Sequence, residues 1–247
     1  MPGIVILGSK PGAGLPAVAA PVVITANAAA EIALEYRKRY DSRIISLVNS
    51  GILKRVSSVQ QALARAEPDE IVVLGEKLPD PRGFAETALG LRRTKIECLS
   101  FYDRYRLMAM RVGALAPILG LRLDRKSLKH LIKDLPAART MRWSFASAGL
   151  SAVSYAMQRF PDADRYVVAG IGLQGGAHFT GIGSMTAGRG AVDRRVMRKW
   201  KRRDRPNLYT TDEAMSRLGD VPLWQGEVFY YDPAQRKSVD SRGDYPE

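Results

Sequence analysis

The stretch WSFASAGLSAVSYAMQRFPDADRYVVAGIGLQGGAHFTGIGS, residues 143–184, decides the fold. It joins a turn of small residues, an amphipathic helix, a buried strand and a glycine-rich loop. A polar turn that opens a helix leaves backbone N–H groups that can hold a phosphate, and we expect this at residues 144–149. The strand expected at 165–169 is followed by glycines, and open α/β sheets bind ligands beyond the carboxyl ends of their strands.

Outward from this stretch, short apolar runs alternate with helical patterns. The alternation predicts a Rossmann-like α/β fold with a mainly parallel, doubly wound sheet. We expect strands near residues 4–7, 22–25, 44–48, 71–74, 95–99, 165–169 and 207–209. We expect helices near residues 28–40, 57–65, 82–92, 103–113, 127–133, 148–159, 191–202 and 211–217.

The domain organisation follows from the same patterns. We expect one domain over residues 1–230 and a polar tail over residues 231–247. The segment 104–142 departs from the alternation, because it holds helical patterns without a strand between them. This segment is therefore expected to be a helical insertion.

Composition limits the partners and the compartment. The chain has 247 residues, a net charge of +13, 46% hydrophobic residues and 26% charged residues. Such a charge predicts an anionic partner: nucleic acid, an acidic membrane surface, or a phosphorylated or acidic sugar. The single cysteine, Cys98, excludes an internal disulfide and fits a reducing compartment. Neither a transmembrane span nor a signal core is apparent, so we expect a cytoplasmic protein.

Two glycine-rich loops follow predicted strands. GSKPGAG, residues 8–14, lacks the closing Gly-Lys-Ser/Thr of a P-loop, so it is either a flexible turn or a place where Gly8 and Ser9 meet a nucleotide. GIGLQG, residues 170–175, is a literal GxGxxG. A dinucleotide-binding loop of that form opens directly into a helix, and none is predicted here before about residue 191, so we expect no NAD or FAD site.

A metal site is not expected either. The triplet DAD, residues 162–164, has the Asp-x-Asp form that can hold a divalent cation, but it precedes a predicted strand. In the turn PDADR, aspartate is common for its turn chemistry. No other His, Cys or Asp cluster has the spacing of metal ligands.

Single polar residues give further candidates. His178 lies in a run of glycines, where no helix or strand would bury it, and its ordinary pKa near 6.5 suits it to accept a proton. The other histidine, His130, fits an ordinary helix position. Asn27 and Asn49 follow predicted strands; each either caps the next helix or offers its amide to a ligand.

The basic run at residues 189–205 allows two interpretations. Val192, Val196 and Trp200 recur at i, i+4 and i+8, which predicts a helix with a narrow apolar stripe. The stripe either packs on the core beneath a solvated basic face, or belongs to a surface that meets anionic lipid or a polyanion, with Trp200 at the interface.

These motifs, taken together, resemble those of bacterial sialyltransferases. In the small-motif region of that family, a Ser/Thr-Gly turn opens a helix, a strand ending in a Gly-Ile pair follows, and a histidine acts as general base. HFTGIGSMTAGRGAVDRRVMRKWKRRDRPNLYTTDEAMS, from His178, resembles its His-aromatic pair, basic helix and Leu-Tyr strand. IVILGSKPGAGLP and VVITANAAA resemble its opening glycine loop and second-strand Asn.

The resemblance implies an inverting, metal-independent glycosyltransferase that needs no cofactor. Its donor would be a CMP-activated sialic acid, related nonulosonate or Kdo, and His178 would act as general base. The segment 104–142 would be a lid over the donor. The donor would contact Gly8, Ser9, Asn27, Asn49, Arg142, Ser147, Ala148, Gly149, Gly170 and Gly172. The chain departs from the family pattern at Ser9, where Asn is usual, and near Gly172, where an acidic residue is frequent.

The resemblance also implies the partners. The acceptor would be a glycan or a lipid-linked molecule, and the 189–205 segment would bring the enzyme to the inner face of the membrane. Two other interpretations stay open: a nucleic-acid-binding protein, and a Rossmann-type enzyme of another class such as a methyltransferase. The chain lacks the aromatic sheet motifs and zinc spacings of common nucleic-acid-binding modules.

Overall fold

A computed structural model of the chain describes residues 3–75, 78–112, 146–173, 193–194 and 196–231. Within these residues, seven strands form a parallel sheet: β1 (Ile4–Leu7), β3 (Val22–Ala26), β4 (Arg43–Asn49), β5 (Glu70–Leu74), β6 (Lys95–Leu99), β7 (Tyr166–Ala169) and β8 (Leu208–Thr210). Two further strands, β2 (Gly14–Pro16) and β9 (Val228–Tyr230), pair antiparallel in a separate small sheet.

The strand order in the large sheet is β6-β5-β4-β3-β1-β7-β8. The chain steps outward from β1 through β3, β4, β5 and β6, and then returns across β1 to form β7 and β8. The direction of winding therefore reverses between β1 and β7, which makes this pair the topological switch point. The predicted mainly parallel, doubly wound α/β fold is confirmed.

Helices cover both faces of the sheet. The described helices are α1 (Ala30–Tyr40), α2 (Ser50–Arg55), α3 (Ser57–Ala66), α4 (Pro81–Ala88), α5 (Phe101–Val112), α6 (Ala148–Arg159) and α7 (Glu213–Gly219). Residues 193–194 and 196–199 are also helical. Ile4 and Ile6 pack with α5 and α6 on one face, whereas Val5 and Leu7 pack with α1 on the other. This alternation follows from the two-residue period of a strand.

The predicted strands are found with their ends within one residue of the expected positions, and α6 has the predicted bounds. Helix α4 is shorter than the predicted 82–92. Gly90 has a φ of +69°, and the Leu91 N–H donates to the Ala85 carbonyl at 2.9 Å. This pattern closes a helix, because glycine adopts the left-handed conformation at little cost.

Part of the predicted architecture lies outside the described residues. This applies to the helix expected at 127–133, to the part of the 104–142 insertion beyond α5, and to the tail from residue 232. Among the described residues, no helix is both long and apolar enough to cross a bilayer.

The basic segment differs from its predicted form. The helix expected at 191–202 ends at Lys199, and a 3-10 turn, Arg202–Asp204, follows. Val196 is 2% exposed and Trp200 is fully buried. The indole N–H of Trp200 donates to the Asp204 carbonyl at 3.3 Å. The apolar stripe therefore packs on the core, and the alternative that places Trp200 at a membrane interface is wrong.

Candidate functional site

Four of the predicted site residues lie along the carboxyl edge of the sheet. Gly170 follows β7, Gly8 follows β1, Asn27 follows β3 and Asn49 ends β4. These four strands are successive neighbours and run parallel, so their carboxyl ends meet at one edge. The structure therefore brings together residues that are far apart in the sequence.

At the switch point, the loops after β1 and β7 touch through their backbones. The Gly8 N–H donates to the Ala169 carbonyl at 2.8 Å, and the Lys10 N–H donates to the Gly170 carbonyl at 3.0 Å. A Cβ at Gly8 would lie 2.2 Å from the Gly170 oxygen, and one at Gly170 would lie 2.6 Å from the Gly8 oxygen. Gly170 also has a φ of +69°, which side chains rarely adopt. Glycine at both positions therefore lets the two loops pack backbone to backbone, and both glycines are buried. Doubly wound sheets bind ligands in a crevice outside the strand ends at such a switch point. We refer to that place here as the crevice, with the two glycines as its floor.

The first turn of α6 lies beside this floor. Ser147 caps the helix, because its hydroxyl accepts from the Leu150 N–H at 3.2 Å. A Cβ at Gly149 would lie 3.0 Å from a side-chain carbon of Ile171, the residue after Gly170. The crevice is thus adjacent to the electropositive end of a twelve-residue helix.

Two charged residues that the sequence did not single out hold this helix end. Asp193, which is fully buried, accepts from the Ser147 N–H at 2.8 Å. The buried Arg104 donates to the Ala146 carbonyl at 2.6 Å and to the Ser151 hydroxyl at 3.3 Å. The basic run 189–205 holds two acids, Asp193 and Asp204, and nothing in the sequence distinguishes the buried one.

These contacts narrow the predicted phosphate site. Asp193 takes the Ser147 N–H, and the Ser147 hydroxyl takes the N–H of Leu150. Neither the Asp193 carboxylate nor the Ser147 hydroxyl accepts from the N–H groups of Ala148 and Gly149. A ligand oxygen at this helix end would therefore meet those two donors.

Asn27 and Asn49 contact each other rather than capping helices. Asn27 has a φ of 53°, in the left-handed region that asparagine tolerates better than most residues. Its side-chain oxygen accepts from the Asn49 N–H at 3.4 Å. Asn49 precedes α2 without a side-chain capping hydrogen bond. Both amides are half-buried at the sheet edge, and neither side chain makes a capping hydrogen bond. Ligand binding by these amides stays a prediction.

Comparisons with protein-family models, with curated proteins and with solved structures each found no match to this chain.

A second opening lies on the same edge of the sheet. Lys10 forms an ion pair with Asp212, which caps α7 by accepting from the Met215 N–H at 2.9 Å. The cleft beside this pair has a volume of about 630 Å³ and is bounded by the 10–14 loop, the start of α7 and β9. The loop after β1 therefore contributes Gly8 to the crevice and Lys10 to this cleft.

The remaining predicted residues have mixed outcomes. Ser9 is buried next to Gly8, and Gly172 is half-buried beyond Gly170. His178 and Arg142 lie outside the described residues. The 162–164 triplet precedes β7, at the opposite edge of the sheet from the crevice, as its sequence position predicts. In the described ranges, no group of three His, Cys, Asp or Glu residues could hold a metal ion.

Proposed function

We propose that this protein is an inverting glycosyltransferase that moves an acidic sugar from a CMP-sugar to a glycan or lipid-linked acceptor. The observation that supports it most is the glycine-floored crevice at the switch point, next to the N-terminus of α6. Open α/β sheets bind ligands at such a point, and a helix N-terminus favours phosphate. The resemblance of the 143–184 motifs to sialyltransferases supplies the choice of donor.

The phosphate of the donor would accept hydrogen bonds from the N–H groups of Ala148 and Gly149. Asp193 places a negative charge close to that position, and the buried Arg104 on the adjacent helix supplies a positive charge that offsets it. Arg142, five positions before Ser147 in the sequence, would add a second cation for the phosphate or the sugar carboxylate.

The nucleoside would lie along the edge towards β3 and β4. The amides of Asn27 and Asn49 offer both donors and acceptors there, which suits the polar edge of a pyrimidine base or a ribose. Gly8, Ser9, Gly170 and Gly172 would form the floor beneath it, because absent or small side chains let the nucleotide approach the backbone.

The reaction would be a single displacement. The acceptor hydroxyl oxygen forms a bond to the anomeric carbon while the bond from that carbon to the CMP phosphate breaks. His178 takes the hydroxyl proton, and CMP leaves with the bonding electrons. The transition state is oxocarbenium-like, so positioning and fixed charges lower its free energy. The helix end and the arginines would meet the charge on the leaving phosphate without a metal.

The acceptor would enter through the cleft beside Lys10 and Asp212. A lipid-linked acceptor would be reached from the inner face of the membrane, where exposed cations such as Arg198, Lys199 and Lys201 would face anionic headgroups. Each such cation would contribute about 1 kcal/mol to the free energy of binding near the surface.

The proposal is tested by incubating the purified protein with a panel of CMP-sugars and measuring release of CMP. We expect turnover of at least one CMP-linked acidic sugar, and we expect it to persist in excess EDTA. UDP-sugars and GDP-sugars are the matched controls, and we expect the protein not to turn them over. Loss of turnover in EDTA that Mg²⁺ or Mn²⁺ restores would contradict the metal-independent mechanism. Binding of S-adenosylmethionine or RNA without CMP-sugar turnover would favour the other two interpretations.

A further inference from the structure

A separate cleft lies at the amino edge of the sheet, where β8 begins. It has a volume of about 400 Å³. Its lining includes three arginines from four consecutive positions, Arg202, Arg203 and Arg205, together with Asn207 and Asp220. The nucleotide crevice lies at the carboxyl edge, at the other end of the strands, so the two openings are separate.

Arg205 is the buried member of this lining. Its side chain is 3% exposed, and the nearest carboxylate oxygen, on Asp220, lies 3.7 Å from one terminal nitrogen. Among the described residues, its Nε and Nη1 atoms have no hydrogen-bond acceptor. Burying a charged donor without an acceptor lowers the stability of the folded state more than burying a neutral one. An anion bound beside Arg205 would therefore stabilise the folded protein.

The desolvation of this guanidinium is also visible in its titration. Burial lowers the pKa of Arg205 from its usual range, and the carboxylate of Asp220 only partly opposes that shift. The Asp220 side chain is 76% exposed, so water screens its charge. Asp220 therefore compensates Arg205 weakly.

The other two arginines stand at the rim. Arg202 and Arg203 are exposed on the 3-10 turn, and Arg203 forms a long ion pair with the neighbouring Asp204 at 3.5 Å. A phosphate in the cleft would have Arg205 behind it and two exposed guanidinium groups to close over it. Guanidinium groups bind phosphate oxygens in pairs, which makes an arginine cluster more selective than a set of point charges.

We propose that this amino-edge cleft binds a phosphate group, in a site independent of the CMP-sugar site. The phosphate belongs either to a small soluble molecule or to the headgroup of a membrane lipid, and both would present the same oxygens to Arg205. The cleft is large enough to admit part of the molecule that carries the phosphate.

The test compares two double variants that remove the same charge. Arg202→Gln with Arg203→Gln alters the rim, whereas Arg92→Gln with Arg93→Gln removes two exposed cations that line neither the amino-edge cleft nor the cleft beside Lys10. Thermal unfolding is followed with increasing inorganic phosphate at constant ionic strength. We expect saturable stabilisation of the wild type and the control, with the half-saturating phosphate concentration raised about tenfold or more in the rim variant.

Arg205→Gln provides a second test. Because it removes a buried charge that is weakly compensated, we expect this variant to keep the wild-type unfolding temperature without phosphate and to lose the response to phosphate. If it fails to fold, the rim variant still decides the question. Equal stabilisation of all variants by phosphate would place the effect outside this cleft, either as a general salt effect or as binding at the carboxyl edge, and would overturn the proposal, as would the absence of saturation in the wild type.

The source of the phosphate is distinguished with vesicles of phosphatidylcholine with and without phosphatidic acid. The site is assigned to a lipid headgroup if the protein sediments with vesicles that contain phosphatidic acid, if free phosphate competes with this binding, and if only the rim variant loses it. Saturable phosphate binding with equal vesicle binding by both double variants assigns it to a soluble phosphate. CMP-sugar turnover is measured separately, so failure of either proposal leaves the other standing.

Discussion

Gly8 determines how closely the loops after β1 and β7 approach each other. Any side chain at this position would place its Cβ 2.2 Å from the Gly170 oxygen, far below a normal contact distance. The atom it would strike is backbone, which cannot rotate away as a side chain can. The floor of the crevice therefore depends on glycine at this position for steric reasons.

Gly8→Ala should weaken both the fold and nucleotide binding. Separating the two loops should lower the free energy of unfolding by about 1–3 kcal/mol, as overpacking does elsewhere, and should reduce CMP affinity. Gly51→Ala is the matched control, because a Cβ there meets nothing within 4 Å and lies in α2. Urea denaturation and CMP titration of both variants check this. Equal stability and CMP affinity in the two variants would contradict the steric role of Gly8.

His178 is the second residue on which the proposed mechanism depends. His178→Ala should reduce sugar transfer by roughly 10²–10⁴-fold, the usual effect of losing a general base. CMP affinity should change little, because the base acts on the acceptor hydroxyl. His130→Ala, the substitution of the other histidine, should leave transfer unchanged. Steady-state rates with CMP titrations measure this, and near-normal transfer by the His178 variant would refute the assignment.

At the scale of elements, the edge strand β6 carries a carboxyl group in an unfavourable position. Burial and the neighbouring Glu70 raise the pKa of Glu97 above its ordinary value of 4.5. Glu70 is itself fully buried, with Arg43 at 2.8 Å and Lys95 at 3.5 Å. Glu97 therefore prefers its protonated form in the folded protein more than in the unfolded chain.

This predicts a defined pH dependence of stability. Well below pH 4.5 Glu97 is protonated in both states and does not lower the stability, whereas stability is lost as the pH rises from there through its higher folded-state pKa. Glu97→Gln should therefore raise the unfolding temperature at pH 7, and the gain should vanish near pH 4. Glu227→Gln makes the same change on an exposed side chain and should show no such gain. A pH-independent effect of Glu97→Gln would contradict this account.

The elements also show how far sequence patterns reach. Helix α6 was predicted to the residue because a serine cap opens it and a Phe-Pro pair follows its last residue. The small sheet of β2 and β9 was not predicted. Each strand has three residues, one of them includes Pro16, and the pairing joins opposite ends of the chain. Helix α2, with six residues and a glycine, also gives too short a pattern.

The candidate site divides in the same way. The positions of Gly8, Asn27, Asn49 and Gly170 could be predicted, because each follows or ends a strand whose neighbours were readable from apolar runs. Asp193 and Arg104 could not, since their roles arise only when distant helices pack around the start of α6. The burial of Trp200 was likewise decided by packing, because its helical period fits a core face and an interface equally well.

At the scale of the whole molecule, the two edges of the sheet are chemically different. The carboxyl edge offers backbone N–H groups, half-buried amides and a glycine floor, which suit a nucleotide. The amino edge offers a buried arginine with two exposed ones beside it. The net charge of +13 draws anions to both edges, so charge alone does not decide where CMP binds.

The central claim is that CMP binds at the carboxyl edge, and nuclear magnetic resonance tests it most directly. The ¹⁵N-labelled protein is titrated with CMP while the backbone amide signals are followed. We predict saturable shifts at Gly8, Ser9, Ala148, Gly149, Gly170 and Gly172, and we expect them to persist in the variant with Arg202→Gln and Arg203→Gln, in which the amino-edge phosphate site is weakened. An absence of shifts at saturating CMP, or shifts confined to residues 202–207, would contradict the account.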